Sequence, residues 1–292
     1  MNRRLLLKNN SKHPKWIQPL TIILIIAVFL CCALSNTVRV RSYTISSPLI
    51  KDNTEIRVVL ISDLHSTIYG KNQEPLIRKI KKQNPDLIVL SGDIFDDDVP
   101  DTGTEMILSS VTSLAPVYYV TGNHEYWTWD IQRIKNTLKA YNVRVLSDEY
   151  VRINLGDNEI ILAGIEDPHK KQYGNPGYDQ PGVMANTFRS LDEIAMYKIL
   201  AAHRPENIDL YRRYSFDLVL SGHTHGGQAR IPFLLNGLYA PNQGFFPKYA
   251  GGKYDFKDST LIVSRGLSIN PKLPRVFNPP EVVLVVIKPE GN

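Results

Sequence analysis

The sequence predicts an α/β protein of two packed, mixed sheets flanked by helices, preceded by one N-terminal transmembrane helix. Three observations carry this. Short apolar runs alternate with helical stretches through the first half of the chain, the pattern of successive βα units. The second half is rich in strands. Residues 20–34, LTIILIIAVFLCCAL, form an apolar stretch without a charge.

Taken in order, residues 1–15 hold Arg3, Arg4, Lys8, Lys12 and Lys15 and no acid, which marks a cytoplasmic tail. The apolar stretch runs from Trp16 to Leu34, 19 residues against the roughly 20 that cross a bilayer as helix. Residues 16–35 are therefore read as a transmembrane signal-anchor. The expected location is the cell membrane, single-pass, with the N-terminus cytoplasmic and the rest of the chain extracytoplasmic. A cleaved signal peptide is the alternative, because Ala33-Leu34-Ser35 offers small residues at a cleavage position. Residues 36–55 read as a linker and 56–288 as one domain. Strands are expected at 57–62, 87–91, 117–121 and 143–146, and helices at 71–83, 104–113 and 129–140. A hairpin follows, 150–155 and 159–164 around Gly156-Asp157-Asn158. Further strands are expected at 199–202, 217–221, 260–264 and 282–287.

Charge removes one class of partner. The chain has 34 Lys plus Arg against 29 Asp plus Glu, and setting aside the five tail bases leaves 29 of each sign. The body is formally neutral, so no nucleic-acid partner is expected; a basic tail beside a span suits anionic lipid instead. Both cysteines, Cys31 and Cys32, fall inside the expected span, so the domain beyond it forms no internal disulfide.

Five islands carry metal-ligand side chains: Asp63-Leu64-His65, Gly92-Asp93, Gly122-Asn123-His124-Glu125, His203, and Gly222-His223-Thr224-His225. They hold five of the seven histidines. Each follows an apolar run of the kind that forms a buried strand, so their side chains gather along one rim of a sheet, where open α/β folds place their sites. A lone DxH or GD is ordinarily a turn or helix cap; GHTHGG is more specific, with two histidines two residues apart on a segment read as extended. The donors are carboxylate, imidazole and carboxamide without thiolate, which excludes a structural zinc–cysteine site and suits Mn, Fe or Zn. Seven candidate ligands, Asp63, His65, Asp93, Asn123, His203, His223 and His225, are too many for one tetrahedral ion. They suit two divalent ions sharing a carboxylate, with Asp93 the natural bridge.

The blocks DLH, GD, GNHE, AAHRPE and GHTHGGQ, in that order, resemble the calcineurin-like metallophosphoesterases, over about residues 56–287. The tail SRGL…PRVFNPPEV looks closest to the membrane-anchored bacterial branch. The resemblance implies a four-layer α/β/β/α sandwich and hydrolysis of phosphate esters, a phosphodiester above all, by a metal-bridging hydroxide attacking in line. It also implies one ion held by Asp63, His65, Asp93 and His225, and a second by Asp93, Asn123, His203 and His223. His124 matches the non-ligand histidine that serves the leaving group or steadies charge. The extracytoplasmic location makes an envelope lipid or polymer the expected source of substrate. A lipid-linked pyrophosphatase, a phosphomonoesterase and a non-catalytic metal-binding scaffold are the alternatives. Ser268 departs from the glycine expected after Arg265-Gly266-Leu267. Among lesser candidates, Asp96 supports the site, Asp97 and Asp98 read as a solvated helix start, and His169 as a solvated loop residue. Arg204 reads equally as a phosphate contact or a surface ion pair; Trp127 and Trp129 read as core packing before substrate wall.

Overall fold

The computed structural model describes residues 17–270 and 273–291. Among the described residues fourteen strands are formed: β1 (Arg39–Ser47), β2 (Ile56–Ile61), β3 (Leu87–Ser91), β4 (Val117–Val120), β5 (Arg144–Val145), β6 (Glu149–Leu155), β7 (Asn158–Gly164), β8 (Tyr197–Ala201), β9 (Leu218–Ser221), β10 (Tyr239–Ala240), β11 (Gly244–Phe245), β12 (Gly252–Asp255), β13 (Thr260–Val263) and β14 (Glu281–Pro289). Twelve of them build two six-stranded sheets, ordered β1-β14-β2-β3-β4-β5 and β12-β13-β9-β8-β7-β6. Both sheets are mixed: β2 to β5 and β7, β8, β9, β13 run parallel within each, while β14 opposes β2, and β6 and β12 are antiparallel edges.

Alternation along single strands explains the layering. In β2, Val59 and Ile61 face one side, packed with Leu76, Ile107 and Leu138 from helices Glu74–Lys81, Thr102–Val111 and Ile131–Ala140. Val58 and Leu60 face the other side, where they meet Ile160, Leu162, Ile199 and Leu218 of the second sheet. Ile161 and Ala163, out of phase with those, pack outward on Met184, Phe188 and Tyr211. Buried on both faces, these strands read as continuous apolar runs. The order is helices, sheet, sheet, helices.

The N-terminal expectation is overturned. Among the described residues no helix is long and apolar enough to cross a membrane. The N-terminal helix, Ile17–Ala33, has 17 residues, about 25 Å at 1.5 Å per residue, against a hydrocarbon core of about 30 Å. The single-pass topology and extracytoplasmic domain deduced from that span fall with it. Trp16 and the basic tail of 1–15 lie outside the described residues. The helix ends on the domain itself: Phe277 donates its amide to the Ala33 carbonyl at 2.7 Å, and its ring meets Phe29 edge-on.

The stretch 36–55 is not a plain linker either. It contains β1, which pairs in parallel with β14 along its whole length. The alternation of Tyr43 and Ile45 with exposed Ser42, Thr44 and Ser46 was the signal for it. The other expected strands stand within two residues of their expected ends, and the short helix Gln180–Phe188 and the β10–β11 hairpin were unforeseen.

A test of the layering is a cavity between the sheets. Ile160→Ala, at a fully buried position, should lower unfolding free energy by about 2–5 kcal/mol, read from urea denaturation. A cost near zero would mean the sheets do not pack there.

Candidate metal centre

Every ligand island sits in the loop that leaves the C-terminal end of a strand. Asp63 and His65 follow β2, Asp93 follows β3, Asn123 and His124 follow β4, His203 follows β8, and His223 and His225 follow β9. The first sheet thus brings Asp63, His65, Asp93, Asn123 and His124, and the second brings His203, His223 and His225. Converging from two sheets demands sharp turns. Asp63, His65, Asp93, His223 and His225 all have positive φ, between 46° and 71°, a conformation that costs about 1–3 kcal/mol at a non-glycine residue and concentrates at functional sites. Gly92 has φ +77°, and a Cβ there would lie 2.5 Å from His203 Nδ1, so only glycine lets β3 approach that imidazole.

The two carboxylates are each used twice. Asp63 Oδ1 accepts the His223 amide at 2.8 Å, and Asp93 Oδ1 accepts the His124 amide at 2.9 Å. The second Asp93 oxygen and the same Asp63 oxygen face the cluster. Asp93 Oδ2 is 3.1 Å from His203 Nε2 and 3.7 Å from His65 Nε2, and Asp63 Oδ1 is 3.8 Å from His225 Nε2. Two groups of coordination size result, Asp63, His65, Asp93 and His225 in one and Asp93, His203 and His223 in the other. They share Asp93. Asn123, buried, joins the wall of the cleft beside Asp93 and His223.

The outer ring nitrogens are tied to the surroundings, which fixes ring orientation. His65 Nδ1 meets Asp96 Oδ2 at 2.8 Å, His203 Nδ1 the Ser91 carbonyl at 2.8 Å, and His225 Nδ1 the Ser268 hydroxyl at 2.9 Å. His223 is turned the other way: Asn242 Oδ1 holds its Nε2 at 2.8 Å, leaving Nδ1 for the cluster. Beneath lies Glu125, fully buried, whose carboxylate accepts the amides of Gly122, Asp93, Ile94 and Phe95 at 2.7–3.1 Å.

Burial and charge set the protonation states. Burial alone would raise the Asp93 pKa, but His203, His124 and His65 around it hold the carboxyl well below the usual range. Burial likewise opposes charge on His203, yet the neighbouring Asp93 pushes its pKa up to about 10. His223 and His225 are driven well below the usual value, by burial and then by His203 and Arg204 for one, His65 and Arg275 for the other. Those two imidazoles are neutral, as ligands must be.

Asp63 Oδ2, His65 Nε2, Asp93 Oδ2 and His203 Nε2 are buried without a hydrogen-bond partner. Four converging orphans are costly unless something binds them, and carboxylate with imidazole suits divalent cations. The residues therefore fit two metal ions. Comparison with known proteins agrees: the family profile described as calcineurin-like phosphoesterase matches residues 56–227. The chain belongs to that family. It is a metal-dependent phosphoesterase. An uncharacterized metallophosphoesterase of Aquifex aeolicus is 30% identical over 87% of this chain and 93% of its own length. A second, from Bacillus subtilis, is 28% identical over 87% of this chain and 86% of its own. The NAD nucleotidase of Haemophilus influenzae, 16% identical, shares the fold with a TM-score of 0.51 over 75% of this chain and 46% of that one.

Around this phosphoesterase centre several sequence expectations change. His223 and His225 do not lie on an extended segment but in a tight turn that enters a one-turn 3₁₀ helix, His225–Gly227. Asn123 begins a short helix, Asn123–Trp127. Asp97 is not merely solvated: its Oδ1 lies 2.5 Å from His124 Nδ1. Asp96, His65 and His124 form a third group of coordination size. His169 is half-buried and accepts from Trp127 Nε1 at 3.0 Å, while Trp127 packs on the His124 ring and lines the cleft. Trp129 points away, 72% exposed. Arg204 is buried, and its fork holds Asp167 at 2.6 and 3.1 Å. Asn242 and Glu125 carried no isolated signal, Asn242 lying on the unforeseen hairpin and Glu125 within a motif already read for its neighbours. Ser268, noted only as a departure, is what orients His225.

Two outcomes test the centre. Because the folded His203 pKa of about 10 exceeds its unfolded value of roughly 6.5, its proton stabilises the metal-free fold fully below that lower value, a contribution lost as pH rises through 10. Metal must displace this proton. Titrating Zn²⁺ into chelated protein should release protons, and affinity should rise from pH 6.5 toward 10; a pH-independent affinity would remove His203 from the ligand set. Asp93→Asn should lower the content of both metals, by elemental analysis, more than any change at an unshared ligand. Two ions retained would mean Asp93 does not bridge.

Proposed function

We propose that this phosphoesterase is a two-metal phosphodiesterase. The observation that carries the reading is the shared, unpartnered Asp93 Oδ2 at the base of a cleft of about 90 Å³ that adjoins a larger cavity of about 490 Å³. A phosphoryl group suits the first space, and the second leaves room for a substituent that a monoester lacks. Asp63, His65, Asp93 and His225 would hold one ion, and Asp93, Asn123, His203 and His223 the other. Two divalent ions there supply Lewis acidity and a nucleophile near neutral pH for in-line displacement.

His124 is read as the acid for the leaving oxygen. Its side chain is 23% exposed, against 15% or less for the ligand histidines His65, His203, His223 and His225, so substrate reaches it. Asp97 engages Nδ1 and orients the ring, which leaves Nε2 for the ester oxygen, and Trp127 packs against the imidazole. Such an acid matters in proportion to how poorly the leaving group departs alone.

Metal-loaded protein offered an alkyl phosphodiester, an alkyl monoester and an alkyl diphosphate should turn over the diester with the highest kcat/KM. Preference for either rival would replace this reading with a phosphomonoesterase or pyrophosphatase. His124→Ala should keep both metals and lose about 10²–10⁴-fold in rate on an alkyl diester, with a smaller loss on a nitrophenyl ester. Equal losses with full metal occupancy would leave charge stabilisation as its role, and a missing ion would make it a ligand.

A further inference from the structure

We propose that the 490 Å³ cavity receives the alcohol retained on phosphorus, and that it selects an uncharged alcohol carrying further hydroxyl groups. This rests on the phosphodiester reading above. The cavity adjoins the metal cleft along Arg204, His169 and Asn242, which line both. Its volume lies within the roughly 300–1,000 Å³ of ordinary ligand pockets.

Its charge excludes an anionic arm. Arg204 is the only buried cation on the wall, and Asp167 already neutralises it through two hydrogen bonds. Lys171 is opposed on the same wall by Asp179 and Glu206, so no surplus positive charge awaits a second phosphate or a carboxylate.

Its free hydrogen-bonding capacity favours a donor. Glu206 lines the cavity with a side chain 17% exposed, and its carboxylate approaches Arg204 only to 3.6 Å through Oε1. A carboxylate on the wall accepts from a hydroxyl and repels an anion. Near it, Asn207 Nδ2 reaches Gln180 Oε1 at only 3.4 Å, a long contact that a polar ligand can replace. Leu210 supplies an apolar wall for the carbon skeleton.

The test uses three diesters with one nitrophenyl leaving group, whose retained arms are methyl, dihydroxypropyl and carboxymethyl. With the metal-loaded protein the dihydroxypropyl ester should show a kcat/KM about tenfold above the methyl ester, the worth of one hydrogen bond to a charged acceptor. The carboxymethyl ester should fall at or below methyl. Equal values for all three, or a preference for the carboxymethyl arm, overturn the assignment while leaving the phosphodiesterase reading intact. Turnover of nitrophenyl phosphate with none of the diesters overturns both. Leu210→Trp, which fills the cavity, should bring the dihydroxypropyl-to-methyl ratio close to one through KM, with metal content retained. Asn207→Phe serves the same purpose if the first variant does not fold. An undiminished ratio in a folded variant overturns the site.

Discussion

One carboxylate oxygen, Asp93 Oδ2, is the point on which the molecule closes. It belongs to both donor groups, so the two sheets must hold their strand ends within a few ångströms of it. The means are visible. Glu125 fixes the amide of Asp93 and the two that follow, the His124 amide takes the other Asp93 oxygen, and the His223 amide crosses from the second sheet to Asp63. Packing between the sheets sets the distance, and these hydrogen bonds set the angle. The same contacts that complete the core therefore aim the ligands.

That arrangement stores unfavourable terms. Five left-handed residues and four buried atoms without a hydrogen-bond partner lie within one small volume. Each opposes folding unless cations repay it, so metal affinity and fold stability are linked properties here. The electrostatics are asymmetric as well. His223 and His225 need lose no proton, whereas His203 must; burial also raises the Asp63 pKa, and for His65 the effect of burial is outweighed by Asp96 and Asp93, which raise it.

Much of this was legible in the chain, and the reasons are physical. Runs such as VVLIS and LIVLS are apolar throughout and short, which reads as interior strands, and a histidine, aspartate or asparagine directly after each of five such runs marks a common site. What escaped reading lay where the local signal is weak. Asn242 sits on a two-strand hairpin of two residues each, too short for periodicity. Glu125 stood inside a motif whose neighbours drew attention, although four backbone amides converge on it. Strand β1 was hidden by its edge position, where polar residues predominate and Ile45 is its one buried apolar side chain. The apolar N-terminal stretch misled for a different reason: hydropathy reports composition, and helix length decides what composition can do.

The join between the N-terminal helix and the body has a consequence for where the polypeptide can be cut. Phe277 hydrogen-bonds to Ala33, and two residues earlier Arg275 bonds the Ser268 carbonyl beside the hydroxyl that orients His225. Val38 is buried in the outer core, and β1 begins at Arg39. A shortened protein starting a few residues into β1 would therefore forfeit a parallel sheet edge and uncover β14. One starting just before Val38 would keep the edge and lose only the cover over Phe277. The boundary between dispensable and indispensable sequence thus runs through a span of about five residues, one end of which touches the support of a metal ligand.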